Sequence, residues 1–128
     1  MKILLAVFLA IAAAGCSHTV GNFSMISNGP VDLSQKYVKA ENKVLGEDVM
    51  HIYFLVPTKM FPDVSGALKD ALEKECASYL TDATLTYRWW TLVLFAEFWF
   101  EIEGNPWYLD GEERQICLRK KGKEVSIR

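Results

Sequence analysis

Apolar residues recur along this chain in several distinct patterns, and each pattern predicts an element. From Val64 the positions Ala67, Leu68, Ala71, Leu72, Cys76, Tyr79 and Leu80 follow at spacings of three and four, with Lys69, Asp70, Glu73 and Lys74 on the other side. That periodicity predicts an amphipathic helix over 64–80, with Asp63 capping the free N–H groups of its first turn. Val49 to Val56 is a continuous apolar and aromatic run broken only by His51, which predicts a central strand covered on both faces and ended by Pro57. Leu92 to Glu103 alternates. Leu92, Leu94, Ala96, Phe98, Phe100 and Ile102 fall on a core face, and Val93, Phe95, Glu97, Trp99, Glu101 and Glu103 on a half-wet one. Thr84 to Trp90 predicts another strand. Carrying the parity back through Thr91 would bury Thr84, Thr86 and Arg88, so a turn or bulge near Trp90 and Thr91 is expected to reset the register.

Shorter signals complete the picture. Asn22 to Ser27 predicts a strand closed by Asn28-Gly29-Pro30, and Val31 to Asn42 a loop with a helical turn. Gly104-Asn105-Pro106 and Asp110-Gly111 predict turns, and Gln115 to Arg119 a last strand before a charged tail. The sum is an α+β domain, one amphipathic helix on an antiparallel sheet of about four to five strands.

The first sixteen residues have a different character. Met1-Lys2 carries one positive charge, Ile3 to Ala14 is an unbroken apolar run of twelve, and the run closes on Ala13-Ala14-Gly15-Cys16. This is the layout of a secretory signal peptide, and as a helix the run would span only ~18 Å against a bilayer core of ~30 Å. Its ending resembles the lipobox of bacterial lipoproteins, which most often carry Leu where Ala13 stands. The resemblance implies cleavage before Cys16, diacylglycerol on its thiol and further acylation such as palmitate. Ser17 in second place implies the outer membrane, facing the periplasm. On this reading residues 1–15 are the signal peptide, 16–21 a lipidated tether, and 22–128 a single small domain.

The body of the chain resembles a group of small, uncharacterised bacterial lipoproteins. The residues that carry this are Asn22-Phe23-Ser24-Met25-Ile26-Ser27 with Val31-Asp32-Leu33, then Gly46-Glu47-Asp48 with His51, then Ala71-Leu72-Glu73, Leu80-Thr81-Asp82-Ala83 with Trp89-Trp90, and Glu101 to Gly104. They cover about 80 residues, and the part from Asn105 on, with Cys117, lies outside the resemblance. The group brings no activity with it.

Composition narrows the function classes. Lys and Arg number 14 against 16 Asp and Glu, so the net charge is −2, and it becomes −3 once Lys2 leaves with the signal. A phosphate-tracking nucleic-acid surface is not expected. Lipid rather than charge must then supply the membrane anchor, because even the basic cluster Lys120-Lys121-Gly122-Lys123 fits a solvated tail better than a headgroup contact. Asn22-Phe23-Ser24 matches a glycosylation sequon, an accidental match behind a bacterial signal.

Four constellations bear on chemistry. Glu47, Asp48 and His51 could form an acid-base or metal-binding fragment, one ligand short of a zinc site, or a turn with solvated acids and a hydrogen-bonded strand histidine. Glu97, Glu101 and Glu103 share a strand face with neighbours two apart ~7 Å from one another, so they are either paired acids or a solvated face. Of 16 aromatic residues nine lie between Tyr87 and Tyr108. Trp99 with one of Trp89 or Trp90 could form a platform for a sugar, lipid or protein, or these rings simply fill a small core. Cys76 and Cys117 remain once Cys16 is lipidated, free to bridge or to stay as separate thiols. No nucleophile-base pair, phosphate loop or complete ligand set is legible, and no catalytic residue, metal or cofactor is assigned. The expectation is a non-enzymatic envelope lipoprotein that binds membrane lipid through Cys16 and an envelope protein or glycan through its surface. The alternative is a small hydrolase or metal-dependent enzyme using His51 and nearby carboxylates.

Overall fold

The computed structural model describes residues 1–12 and 15–127. Ala13 and Ala14, before Gly15-Cys16, lie outside the described residues, as does the side chain of Lys123. After a first helix α1 (Lys2–Ala12), the chain builds strands β1 (Gly15–Ile26), β2 (Tyr37–Lys39), β3 (Val44–Tyr53) and β4 (Val56–Pro57), helix α2 (Val64–Glu75), strands β5 (Tyr79–Leu92) and β6 (Phe95–Leu109), and helix α3 (Glu112–Ile127). The architecture is mixed α+β. Its antiparallel sheet has six strands rather than four or five, in the order β1-β5-β6-β3-β4, with the short β2 pairing the far end of β6.

The predicted helix forms and its apolar face does what the spacing requires. Ala67, Leu68, Ala71 and Leu72 are buried, and the Asp63 side chain accepts a hydrogen bond from the Ser65 N–H. Together with Val44, Leu80, Ala83, Leu85 and Ile102 they make the core. The helix stops at Glu75, not at Leu80. Cys76 turns into the left-handed region (φ 51°) and its N–H closes on the carbonyls of Leu72 and Glu73, after which Tyr79 and Leu80 open β5. The apolar period continued because both elements face the same core.

Gly46 on β3 lets α2 close on the sheet, and Gly104 on β6 makes room for the neighbouring strand β5. A Cβ at Gly46 would fall 2.5 Å from the Ala71 nitrogen and Cβ, and one at Gly104 would stand 3.2 Å from Ala83 and Leu80. β3 is accordingly covered by α2 on one face only, and its burial alternates through Val44, Gly46 and Met50. The expectation of a strand covered on both faces is corrected: β3 ends at Tyr53, and the apolar residues from Phe54 to Val56 are the turn and the start of β4, not more strand interior.

Four other sequence expectations change. β5 and β6 meet in a tight turn at Val93-Leu94, with Leu92 opposite Phe95, so the register is set there and not at Trp90 and Thr91. β6 runs straight through Gly104-Asn105-Pro106, which is no turn. Pro106 needs no ladder donor there, since its carbonyl receives the Ala40 N–H and its ring is fully buried opposite Leu80. Residues 115–119 lie in α3 instead of a strand: Asp110-Gly111 breaks the chain, and Glu112 and Glu113 then occupy the first helical turn, where acidic side chains suit the helix dipole. Residues 16–21, read as a tether, are the first half of β1, paired with β5 from Gly15 opposite Trp90 onward.

Candidate functional site

β5, β6 and β3 run side by side, so residues in register share a face of the sheet. One face carries α2. The other is open, and the sequence places its chemistry there. Trp90, Glu97 and His51 stand in one row, Arg88, Trp99 and Val49 in the next, and Thr86, Glu101 and Glu47 in the third. This is the half-wet face that alternation assigned to Glu97, Trp99, Glu101 and Glu103.

Glu97 organises the first row. Its Oε1 lies 2.8 Å from His51 Nδ1, and its Oε2 accepts the Trp90 Nε1 proton at 2.7 Å. A single carboxylate therefore fixes an imidazole and an indole at once, which holds two rings at defined angles on an otherwise unlidded surface. Tyr53 stacks on His51 with centroids 5.7 Å apart and extends the aromatic strip. In the second row Arg88 reaches back to Glu101 at 3.2 Å, with the Glu101 side chain 16% exposed. Glu103 faces Lys43 at the row beyond.

The acids are therefore partnered one by one and do not pair with one another. Glu97, Glu101 and Glu103 each meet a different donor, and none shares a proton with its neighbour. The trio Glu47, Asp48 and His51 also separates. Glu47 and His51 point to the open face two rows apart, whereas Asp48 points to the helix face, where it pairs with Lys59 and accepts the Asp63 N–H at 2.6 Å. Among the described residues no cluster of three His, Cys, Asp or Glu is placed to hold a metal ion.

The tryptophans divide likewise. Trp90 and Trp99 share the open face, on adjacent strands and one row apart, and both are half-buried. Trp89 lies on the other face in a row with Phe98 and Met50, its ring stacked with Phe98 at 6.5 Å. A platform of Trp90 and Trp99 is thus assembled, and Trp89 is not part of it. Cys16, an exposed free thiol, sits opposite Trp89 at the start of β1.

Cys76 and Cys117 are joined by a disulfide with a Cα–Cα distance of 6.1 Å, which ties the end of α2 to α3. A shallow cleft of about 400 Å³ lies along that junction, lined by Asp70, Glu73, Lys74, Cys117, Lys120 and Lys121. Within it Lys74 pairs with Asp70 and donates to the Leu45 carbonyl, and Lys121 donates to the Lys74 carbonyl.

No family model, curated protein or solved structure matches this chain. The Glu97 junction is the feature the sequence did not disclose. The signal for it was present in part, since an indole N–H on a half-buried strand needs an acceptor, but the acceptor could be named only once β5 and β3 were known to flank β6.

Proposed function

We propose that the protein is a lipoprotein of a bacterial envelope, held to the outer membrane on its periplasmic side by acyl chains on Cys16. Its role is non-enzymatic, binding an envelope protein or glycan through the open sheet face. The observation that carries the anchor is the apolar run closing on Gly15-Cys16, supported by an exposed free Cys16 while the other two cysteines are bridged. The binding role is supported by the strip of Trp90, Trp99, His51 and Tyr53, in which Glu97 fixes the Trp90 and His51 rings and Tyr53 stacks on His51, leaving aromatic faces available to stack on a planar or sugar-like ligand. Replacing Cys16 by Ala abolishes incorporation of a labelled fatty acid and leaves an unprocessed or released form. Wild-type protein that pellets with membranes without taking up label sinks the anchor.

The competing reading is a small hydrolase using His51. What favours it is the Glu97 carboxylate, which orients the imidazole as a triad acid would. Its test is hydrolysis of a panel of ester and amide substrates by wild type and by His51→Ala. Turnover lost in the variant would decide for the enzyme.

A further inference from the structure

The sheet has two ends of opposite character, and the end that carries Cys16 is apolar. There the β3–β4 turn and the β5–β6 turn lie against each other, joined by the Phe54 N–H donating to the Leu94 carbonyl at 2.9 Å. Phe54, Leu55, Val56, Leu92, Val93 and Leu94 are all exposed, Leu55 and Val93 at 75% and 78%. The stretches 52–58 and 90–96 contain no Asp, Glu, Lys or Arg.

These residues sit where the backbone does not favour them. Phe54 and Leu55 have φ of 51° and 69°, the conformation of a two-residue turn that prefers Asn-Gly, and Val93 has φ 50°, a place where a β-branched side chain is strained. Folding alone would select Asn, Asp or Gly at all three. Phe54 packs its ring edge-on against Phe95 at 5.0 Å, but Leu55 and Val93, held out in solvent at such positions, are explained by what they touch outside the domain.

We infer that these two turns insert into the bilayer leaflet that holds the acyl chains of Cys16; the inference rests on the lipoprotein reading above. Register supplies the geometry. Gly15 and Cys16 pair with Trp90 and Trp89, three to four residues short of Val93, so the turns project roughly 10 Å beyond the anchor along the strand direction. With Cys16 at the surface, that reach carries the apolar turns through the headgroups to the acyl boundary, the depth that interfacial segments occupy, about 5–10 Å. Trp89 and Trp90 then lie at headgroup level, where tryptophan is favoured. Because β1 begins at the anchor itself, no slack intervenes. The acyl chains and the turns meet one leaflet together, and the open face with Trp99 stands roughly perpendicular to it.

The test uses the full acylated chain, purified from membranes and reconstituted in phosphatidylcholine vesicles containing a phosphatidylcholine with a photoactivatable acyl chain. Irradiation should place lipid adducts on peptides spanning 52–61 and 91–95. The double variant Leu55→Asp with Val93→Asp should keep its fatty-acid label on Cys16 and lose those adducts at least roughly tenfold, since charged side chains do not enter the acyl region. Both replacements are at exposed positive-φ sites that Asp tolerates, so an unchanged thermal melt certifies the fold. Label on Cys16 without adducts at either turn overturns the inserted turns and leaves the anchor standing. Absence of label on Cys16 overturns both. Adducts that survive in the double variant show that proximity alone produces them, and also overturn insertion.

Discussion

Gly46→Ala is the sharpest probe of how α2 is seated. Gly46 lies on β3 opposite Ile102, and an added Cβ would meet the Ala71 nitrogen and Cβ at 2.5 Å and the Ala67 carbonyl oxygen closer still. Those are helix backbone atoms and the root of a side chain, so no rotamer change relieves the contact. The helix must retreat by about 1 Å to reach ordinary contact, a gap that forfeits a quarter to a half of each dispersion well across the interface. Full burial of a Leu contributes about 1.5–3 kcal/mol, and two Leu and two Ala of α2 are buried there. The loss is then about 2–4 kcal/mol, set against roughly 0.5–1 kcal/mol gained by replacing a strand glycine. The net expectation is a destabilisation of about 1–3.5 kcal/mol, or a drop in Tm of roughly 4–15 °C for a chain of this size. Urea and thermal melts followed by circular dichroism measure it. Gly29→Ala is the control, because nothing stands within 4 Å of its Cβ. If Gly46→Ala melts with wild type, α2 does not lie on β3 as described and the core assignment is wrong.

Leu72→Ala removes a buried side chain from the same interface and should cost about 2–5 kcal/mol in a urea melt. Alkylation in denaturant without reductant, read by mass spectrometry, should leave Cys76 and Cys117 unmodified, and Cys117→Ser should cost about 4 kcal/mol, the chain-entropy estimate for the 41-residue separation. The Tyr79 phenol is held above its ordinary range by burial first and by Tyr37 second. The folded state therefore keeps a proton that the unfolded chain releases, so this contribution is intact below about pH 10 and is lost as pH rises beyond it. Melts from pH 8 upward should show an alkaline decline that Tyr79→Phe flattens.

What the sequence disclosed depended on whether a residue's partner was local. The start of α2 was legible because its cap and its apolar stripe lie within a few residues of each other, as Asp63 and Ser65 do. Its end was not, because Cys76 leaves the helix while Tyr79 and Leu80 continue to supply apolar positions to the same core from β5. β1 was read only from Asn22 because Cys16 to Gly21 faces no core. As an edge strand it is exposed or half-exposed throughout, and exposure erases the alternation on which strand reading relies. Pro106 misled for the opposite reason: a turn-forming residue is tolerated in β6 because its neighbour β2 needs its carbonyl, not its N–H. For the candidate site, parity placed Glu97, Trp99 and Glu101 on one face correctly. The partners that give those acids their character, His51 and Trp90 for Glu97 and Arg88 for Glu101, come from two other strands, and no local pattern encodes them.

Under the proposed anchor at Cys16, the two ends of the sheet imply different distances from the membrane. β5 runs from Tyr79 to Leu92, roughly 45 Å at 3.3 Å per residue. Cys16 and the apolar turns are at the Leu92 end. The disulfide, α3 and the basic pair Lys120-Lys121 are at the other, with Cys117 tied to the close of α2 and Lys121 bonded to the Lys74 carbonyl. With the turns inserted end-on and the strands standing away from the leaflet, the other end lies well beyond contact, and electrostatic attraction to headgroups fades within a Debye length of about 8 Å. An anchor at Cys16 thus leaves Lys120 and Lys121 far into the aqueous phase, where Lys121 serves the α2–α3 junction. On that anchor the open face between the two ends presents Trp90 nearest the bilayer, Arg88 and Trp99 one row farther and Glu101 farther still, so a partner bound along this strip is read at a fixed height above the leaflet.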